Sequence, residues 1–395
     1  MTSIVHLQEL KQKNMARILQ SLWRRSTSRV ELVTETGLTS GTITNLVQEL
    51  MDWHVVRECG RISGAVGRRR VALRFDDRLH SMVGIDIGRT NFAVVVLDLS
   101  GRAIFTAGGE LPRGHHPDST MELVVRRAAG LIARAAAVGY TVLGVGVGIP
   151  GPMDTGAGTL LEPPNFPGWR HFPVSDAVGR GLSLPVWLED DAHTSALAER
   201  WYGCGRVGGD LVFVTMGVGI GSGVIVNGEL MHGAHDLCGQ LGHMTVIPGG
   251  ERCACGNIGC WETVGSIPSV VRRYGEEVSV GQVFARAEAG EARAGKVVDE
   301  TIDFLVTALI NVCNLYDPAV VVLGGRMFSA FSSRLEQIAD GVRSRAYASV
   351  RDHIRIAAAA FGEQQSAMGA AALVLHALMT EPLRTLQASG GGRGR

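Results

Sequence analysis

The sequence predicts a mixed α/β protein in which a small winged helix-turn-helix head precedes a larger body. Three observations predict it: apolar spacing and cap signals for three short helices within the first fifty residues, two strand, glycine-turn, strand patterns farther on, and an uneven distribution of charge. Lys+Arg and Asp+Glu each number 38, yet residues 1–75 hold 12 of the bases and only 6 of the acids. The head is therefore +6 and the remainder −6, as when a module that meets a polyanion is attached to one that does not. A chain of 395 residues exceeds what one core serves, so the expected boundaries are a head at 1–78, a body at 79–380 and a Gly/Arg-rich, disordered tail at 381–395. Met1 to Leu10 lacks an apolar signal region and no run of 18 apolar residues occurs, so the expected location is cytoplasmic, with no membrane contact.

In the head, Met15, Ile18, Leu19 and Leu22 fall at i, i+3, i+4 and i+7, which marks one amphipathic helix. Ser28 to Glu31 is a capping box that opens a second, and Gly37 stands where it stops. Thr39 caps a third, in which Ile43, Leu46, Val47 and Leu50 repeat the apolar spacing. A short glycine-containing turn before the third helix makes a helix-turn-helix. The outward face of that helix carries Ser40, Gly41, Thr44, Asn45 and Gln48, small or amide side chains suited to base edges in a major groove. Neutralising phosphates falls to Arg57, Arg61, Arg68, Arg69, Arg70 and Arg74. Val55-Val56 and Val71 to Leu73 are expected as the two strands of a wing, its arginines reaching a backbone or minor groove. The competing reading is a solvated basic loop on a helical protein-interaction domain.

From His80 onward the pattern becomes strand, tight turn, strand. Met82–Ile87 and Phe92–Leu97 flank Gly88, Leu211–Thr215 and Val224–Val226 flank Gly217 to Gly223, and Val320–Leu323 runs into Gly324-Gly325. Alternate glycines leave backbone amides open to an anion, although such turns singly are ordinary. Val297 to Leu315 reads as a core helix, equally suited to a dimer surface, and Pro163 to Trp169 as a rigid loop beside a cleft or a packing element. His243, Cys253, Cys255 and Cys260 supply one imidazole and three thiolates, the four tetrahedral donors of a structural Zn²⁺ site. Free thiols or a disulfide are the alternative, and an intracellular setting favours metal. Cys59, Cys204, Cys238 and Cys313 have no paired spacing and read as ordinary thiols.

In chain order, D-I-G-x-T (Asp86–Thr90), G-I-P-G-P-M-D (Gly148–Asp154), E-D-D-A (Glu189–Ala192), G-x-G-x-G-x-G (Gly217–Gly223), G-Q-L-G-H (Gly239–His243) and C-x-C-G-x2-G-C-x-E (Cys253–Glu262) resemble the ROK family of repressors, open reading frames and sugar kinases. The likeness spans roughly residues 10–380, and the cysteine motif is its most specific part. It implies a two-lobed, actin-like and ribonuclease-H-like sugar-kinase fold with a sugar in the cleft; members with a winged head are sugar-responsive transcription factors, while those lacking it are mostly kinases. Asp191 then stands at the position of a kinase's catalytic base, with a helix N-terminal charge as its alternative role. The resemblance implies that Asp190, Asp191, Gln240, His243 and Glu262 bind sugar hydroxyls and that zinc positions the sugar loop. Asp86, Gly88, Thr90, Gly217, Gly219 and Gly324 match nucleotide-binding positions.

Departures from the kinase pattern fall in these same motifs. Arg89 stands where kinases have a second glycine and Val218 where they have a threonine, so the nucleotide loops read as vestigial and no catalysis is expected. Asp190 replaces Asn and Gln240 replaces Glu, which exchanges a carboxylate and an amide and points to a ligand other than glucose. The expected partners are operator DNA, a sugar effector and copies of the chain itself in a homodimer or homotetramer, with repression relieved by sugar. The rivals are an ATP-dependent sugar kinase with a regulatory head, and a scaffold with a degenerate pocket.

Overall fold

A computed structural model describes residues 2–62, 70–112, 114–164, 166 and 168–390. Helices α1 (Thr2–Arg24), α2 (Arg29–Thr36) and α3 (Ser40–Asp52) form the head. Met15, Ile18, Leu19 and Leu22 are all buried, packed with Leu32, Ile43, Val47 and Leu50. The caps stand where the sequence puts them: Ser28 and Glu31 bond reciprocally, Gly37 closes α2 at φ 70°, and the Thr39 hydroxyl accepts from the Thr42 amide at 3.2 Å. Strands β1 (Val56–Ile62) and β2 (Arg70–Phe75) pair antiparallel as a ribbon, with Val56 opposite Phe75 and Ile62 opposite Arg70. The ribbon is longer than its apolar residues suggest, because exposed arginines alternate with buried Val56, Leu73 and Phe75 along it. Arg68 and Arg69 lie outside the described residues, and Arg70 opens β2.

The body repeats one topology twice. Strands β3 (His80–Ile87), β4 (Asn91–Asp98), β5 (Ala103–Glu110) and β6 (Thr141–Ile149) join β9 (Val186–Asp190) in the order β5-β4-β3-β6-β9, while the short β7 (Met153–Asp154) and β8 (Thr159–Leu160) form a separate hairpin. The second sheet, of β10 (Leu211–Met216), β11 (Ile220–Val226), β12 (Glu229–Leu230), β13 (Val320–Gly324) and β14 (Ile356–Ala358), has the order β12-β11-β10-β13-β14. In each, three antiparallel strands continue into two parallel ones. This is the actin-like, ribonuclease-H-like pair of lobes. Helices α4 (Pro117–Ala137) and α5 (Val174–Leu182) share a core with Val83, Ile85, Val145 and Val147 of the first sheet; the helix Ala292–Tyr316 shares one with Val212, Val214, Val321 and Leu323 of the second.

Between the sheets lie α6 (Asp191–Trp201), packed on β10 and β11, and the helix Gln365–Thr380, packed on β3 and β6. They meet almost backbone to backbone. A Cβ on Gly84 would sit 1.9 Å from the Ala367 carbonyl oxygen, one on Gly146 1.7 Å from that of Ala370, and one on Gly369 1.6 Å from that of Thr194. No side chain fits in these seams.

The expected disordered tail at 381–395 is corrected for most of its length. Pro382–Ala388 is a helix whose Leu386 is fully buried, packed on α1 and on Gln365–Thr380. Glycine and arginine dominate the composition there, but Leu383 and Leu386, three apart, give one turn an apolar face that closes the seam between head and body. Residues 391–395 lie outside the described part. Head and body share one core in consequence: Trp23 of α1 meets Phe75 and Trp201 edge to face at 5.4 and 5.5 Å.

Replacing Gly146 by Ala should destabilise the protein by about 3 kcal/mol or more, since the added methyl collides with helix backbone that has no rotamer to change. Chemical denaturation of the variant against the parent measures this; a change under about 1 kcal/mol would show that the helix is free to move away.

Candidate functional site

The sharp passage from β9 into α6 positions two acids. Asp190 caps α6: its Oδ1 accepts from the Ala192 amide at 3.0 Å and its Oδ2 from the Gly151 amide at 3.0 Å, tying the helix start to the loop after β6. Asp191 follows as the first helical residue. Asp86, at the end of β3, accepts from the Ser366 hydroxyl at 2.6 Å, and Ser366 in turn is 3.0 Å from the Thr194 hydroxyl on α6. Burial pushes Asp86 up to about 6. Burial, then the charges of Asp190 and Asp86, push Asp191 up to about 7 against the opposing pull of Arg89.

Glu262 reaches the same cleft from the far side. Its Oε2 accepts from the Ile220 amide at 2.9 Å, and a Cβ on Gly219 would lie 2.8 Å from that oxygen and 3.7 Å from Arg89 Nη1. Arg89 thus lies across the cleft, donating to the Pro164 carbonyl at 3.4 Å. The Pro163–Trp169 loop is both packing and cleft edge: Trp169 is buried and stacked on Phe166 at 4.8 Å, while Asn165 and Pro167 lie outside the described residues. The glycine turns spend amides on themselves, Gly88 N–H on Asn91 O at 2.8 Å and Gly217 N–H on Gly219 O at 2.9 Å. Arg326, just past Gly324-Gly325, donates to the Thr90 hydroxyl at 2.9 Å and so bridges the two lobes. Gln240 is exposed, its carbonyl accepting from the His243 amide at 3.0 Å.

The four cysteine-motif donors converge within 4.8 Å of one another. Cys253 Sγ is 3.6 Å from His243 Nδ1, and Cys255 Sγ is 3.7 Å from Cys260 Sγ. A tetrahedron with bonds of zinc length has edges of about 3.5 Å (S to N) and about 3.8 Å (S to S), so the donors fit such an ion. Without an ion, burial and the neighbouring thiols push Cys260 up to about 12, while the Asn257 amide lowers Cys255. Asn257 Nδ2 donates to Cys260 Sγ at 3.4 Å and orients it.

In the head, Ser40, Gly41, Thr44, Asn45 and Gln48 are all exposed on one face of α3, and nothing lies within 4 Å of where a Gly41 Cβ would point. Arg61 and Arg74 are exposed on the ribbon, whereas Arg57 turns to Asp76 at 3.6 Å.

Sequence reading missed three features. Glu189, His193 and His232 form a second cluster of potential ligands behind Asp190; the signal was an i, i+4 Glu and His straddling the start of α6. Arg326 crosses between lobes from 236 residues away, a contact no local pattern encodes. Trp201, at the far end of α6, touches the head.

Together these features define a two-lobed, sugar-kinase-shaped α/β protein carrying an N-terminal head of three helices and a two-stranded ribbon. The chain belongs to the ROK family, whose profile matches residues 82–377. It is 25% identical over 392 residues to a xylose repressor of Caldicellulosiruptor bescii, covering 94% of this chain and 98% of the relative. It is 30% identical to a glucokinase of Halalkalibacterium halodurans, covering 74% of this chain and 94% of the relative. Among solved structures, a ROK family transcriptional regulator, homolog of the Escherichia coli MLC protein, superposes with a TM-score of 0.83 at 24% identity over 96% of this chain and 100% of that one. The family holds both repressors and kinases, and the repressor relatives extend over the head while the glucokinase leaves about a quarter of this chain uncovered. Among the described residues no helix is long and apolar enough to cross a membrane.

Arg89→Met should raise the pH at which Asp191 loses its proton above about 7, because the attraction of the Arg89 guanidinium for the carboxylate is removed. Carboxyl ¹³C titration by NMR reads it; an unchanged midpoint would mean that Arg89 points away from the acid in solution.

Proposed function

We propose that this chain is a sugar-responsive transcriptional repressor: residues 1–78 bind operator DNA, the body at 79–380 holds a sugar in its cleft, and sugar binding weakens the hold on DNA. One observation carries the reading. Helix α6 has the sugar-position acids Asp190 and Asp191 at its start and Trp201, in contact with the head's Trp23, at its end. An 11-residue helix is a rod of about 16 Å, so movement of its N-terminus is delivered to the head rather than absorbed. Sugar gains leverage over DNA only by binding one arrangement of the heads better than another.

Asp190, Asp191, Gln240, His243 and Glu262 are the sugar ligands, and Ser40, Gly41, Thr44, Asn45 and Gln48 face the major groove with Arg70 and the wing arginines Arg68 and Arg69 on phosphates. Zn²⁺ held by His243, Cys253, Cys255 and Cys260 fixes the loop bearing Gln240 and His243 and does no chemistry of its own. The chain acts as a homodimer or homotetramer on a two-fold operator in the cytoplasm. The nucleotide positions Asp86, Gly88, Thr90, Gly217, Gly219 and Gly324 are vestigial: Arg89 lies in the path of a phosphate donor and Arg326 occupies the Thr90 hydroxyl. A second reading, an ATP-dependent sugar kinase with a regulatory head, draws on the glucokinase likeness and on Asp191, which sits at the base position with its proton affinity raised toward neutrality.

Operators selected from random duplexes should bind the full chain and be released by one member of a panel of pentoses, hexoses and N-acetylated sugars, as read by fluorescence anisotropy. Asn45→Ala and Gln48→Ala should each cost about 1–3 kcal/mol on the selected site and little on random DNA. Brisk ATP consumption with any of these sugars, abolished by Asp191→Asn and without DNA binding, would replace the repressor with the kinase. Cys255→Ser should lose one metal ion per chain by mass spectrometry together with the sugar response; a variant retaining both overturns the metal assignment.

A further inference from the structure

Behind the sugar-position acids lies a buried polar cluster that neither phosphate nor metal chemistry of the family motifs uses. His193, one turn into α6, has both ring nitrogens facing acceptors: Nδ1 is 2.9 Å from Glu189 Oε1 and Nε2 is 3.1 Å from the Cys238 carbonyl oxygen. A neutral imidazole has one N–H and would leave a lone pair aimed at one of them. His232 Nε2 lies 2.7 Å from the other Glu189 oxygen, and its ring covers that of His193 edge to face at 5.8 Å. Glu189 and His193 are almost fully buried, while His232 keeps a part-exposed edge.

A positive charge is therefore required between Glu189 and the Cys238 carbonyl, and distance decides which kind. A ring nitrogen and a carboxylate oxygen sharing one tetrahedral ion with bonds of zinc length would stand about 3.3 Å apart, whereas those here are 2.9 and 2.7 Å apart, the lengths of hydrogen bonds. A proton, not a metal ion, fits this cluster.

We propose that a cationic His193, clamped between Glu189 and the Cys238 carbonyl, is the positioning residue of the sugar site, holding the Gln240–His243 loop against the strand end that carries Asp190 and Asp191. The link is short on both sides. Glu189 directly precedes Asp190, and its Oε1 also accepts from the Asp190 amide at 3.0 Å. Cys238 directly precedes Gly239, whose carbonyl accepts from the Ser222 amide at 3.0 Å and hydroxyl at 2.8 Å, and Gln240 follows. A Cβ on Gly239 would stand 3.2 Å from His193 Nε2, so the loop has no slack there.

The groups facing the clamp act together. Burial alone would lower the proton affinity of His193; the Glu189 carboxylate, then Asp190 and the Cys238 carbonyl, outweigh it and lift it to about 9. Burial would raise Glu189, and its two imidazole partners hold it at about 2 instead. His232 is raised by Glu189 and Asp236, while His376 behind it, 3.6 Å from Glu229, is lowered by burial. The Cys238 thiol is pushed up by burial and stays neutral. The sign follows: a raised imidazole keeps its contribution in full below its unfolded value near 6.5 and loses it as pH rises through about 9. Sugar affinity should thus be level from neutrality to about pH 8 and fall above it.

This inference rests on the sugar reading, and the test separates the two. Titration calorimetry with the sugar that releases operator should show Kd rising roughly tenfold from pH 8 to pH 10, as expected for a required proton with its midpoint near 9. Glu189→Gln, which keeps the shape and removes the charge, should move that rise to lower pH, and His193→Gln should abolish it. Independently, ¹³C NMR of the His193 ring and amide-exchange protection of residues 233–243 should change together near pH 9 in the unmodified protein, whether or not any sugar binds. If no sugar binds but the NMR and exchange transitions coincide, the clamp stands and the sugar assignment fails. A flat Kd profile with intact fold, or the same profile in His193→Gln, overturns the clamp. So does a second metal ion per chain that disappears in His193→Gln while the cysteine-bound ion stays.

Discussion

Two helices pressed backbone to backbone between two sheets set the terms for the rest of the molecule. Gly84 and Gly146 let the helix Gln365–Thr380 lie directly on β3 and β6, and Gly369 lets it touch α6 with no side chain between. Close packing of this kind leaves no compressible layer, so a shift at one lobe is transmitted rather than absorbed. The same helix carries Ser366, whose hydroxyl touches Asp86 from the first sheet and Thr194 from α6. Asp86 and the acids at the start of α6 are thereby indexed to a single rigid seam.

That indexing explains the electrostatics of the cleft. Asp86 and Asp191 are held close, away from water, and both have raised proton affinity, the arrangement from which a kinase would draw a general base. Arg89 is the counter-charge within reach, and it comes from the turn that a nucleotide would need clear. The head is set on the same seam: its core runs without interruption into Val374, Leu375 and Leu378, and the Pro382–Ala388 helix closes the edge. A head mounted this way has its angle fixed by the body and not by a linker.

Much of this was legible in the sequence, where local chemistry decides structure. Ser28, Gly37 and Thr39 marked helix ends because caps are local hydrogen bonds, and the cysteine spacing marked donors that do converge. What escaped notice depends on distant partners. The disordered-tail expectation failed at Leu386 because composition outweighed a three-residue apolar spacing whose partner surface lies on α1 and Gln365–Thr380. Glu189, His193 and His232 went unread since two of them sit on either side of a motif prized for Asp190 and Asp191, and the third is supplied by the loop after β12. Trp23 and Trp201 carry no local pattern that pairs them, and the fold brings them to 5.5 Å.

The division of labour along α6 suggests why a sugar-kinase frame suits a sensor. A catalyst needs its cleft to reopen each turnover, so the contacts that close it must be lent by the phosphate donor and withdrawn with the product. Here the lobes are already bridged by protein, Arg326 to Thr90, and in the proposed function closure is decided on the other side of the cleft, where the sugar enters. On that side three polar groups lead to α6: Asp190 caps it, Asp191 begins it and His193 ties it to the loop of Gln240. A ligand entering there has a single element to displace, and the far end of that element already leans on the helices that read DNA in the proposed function.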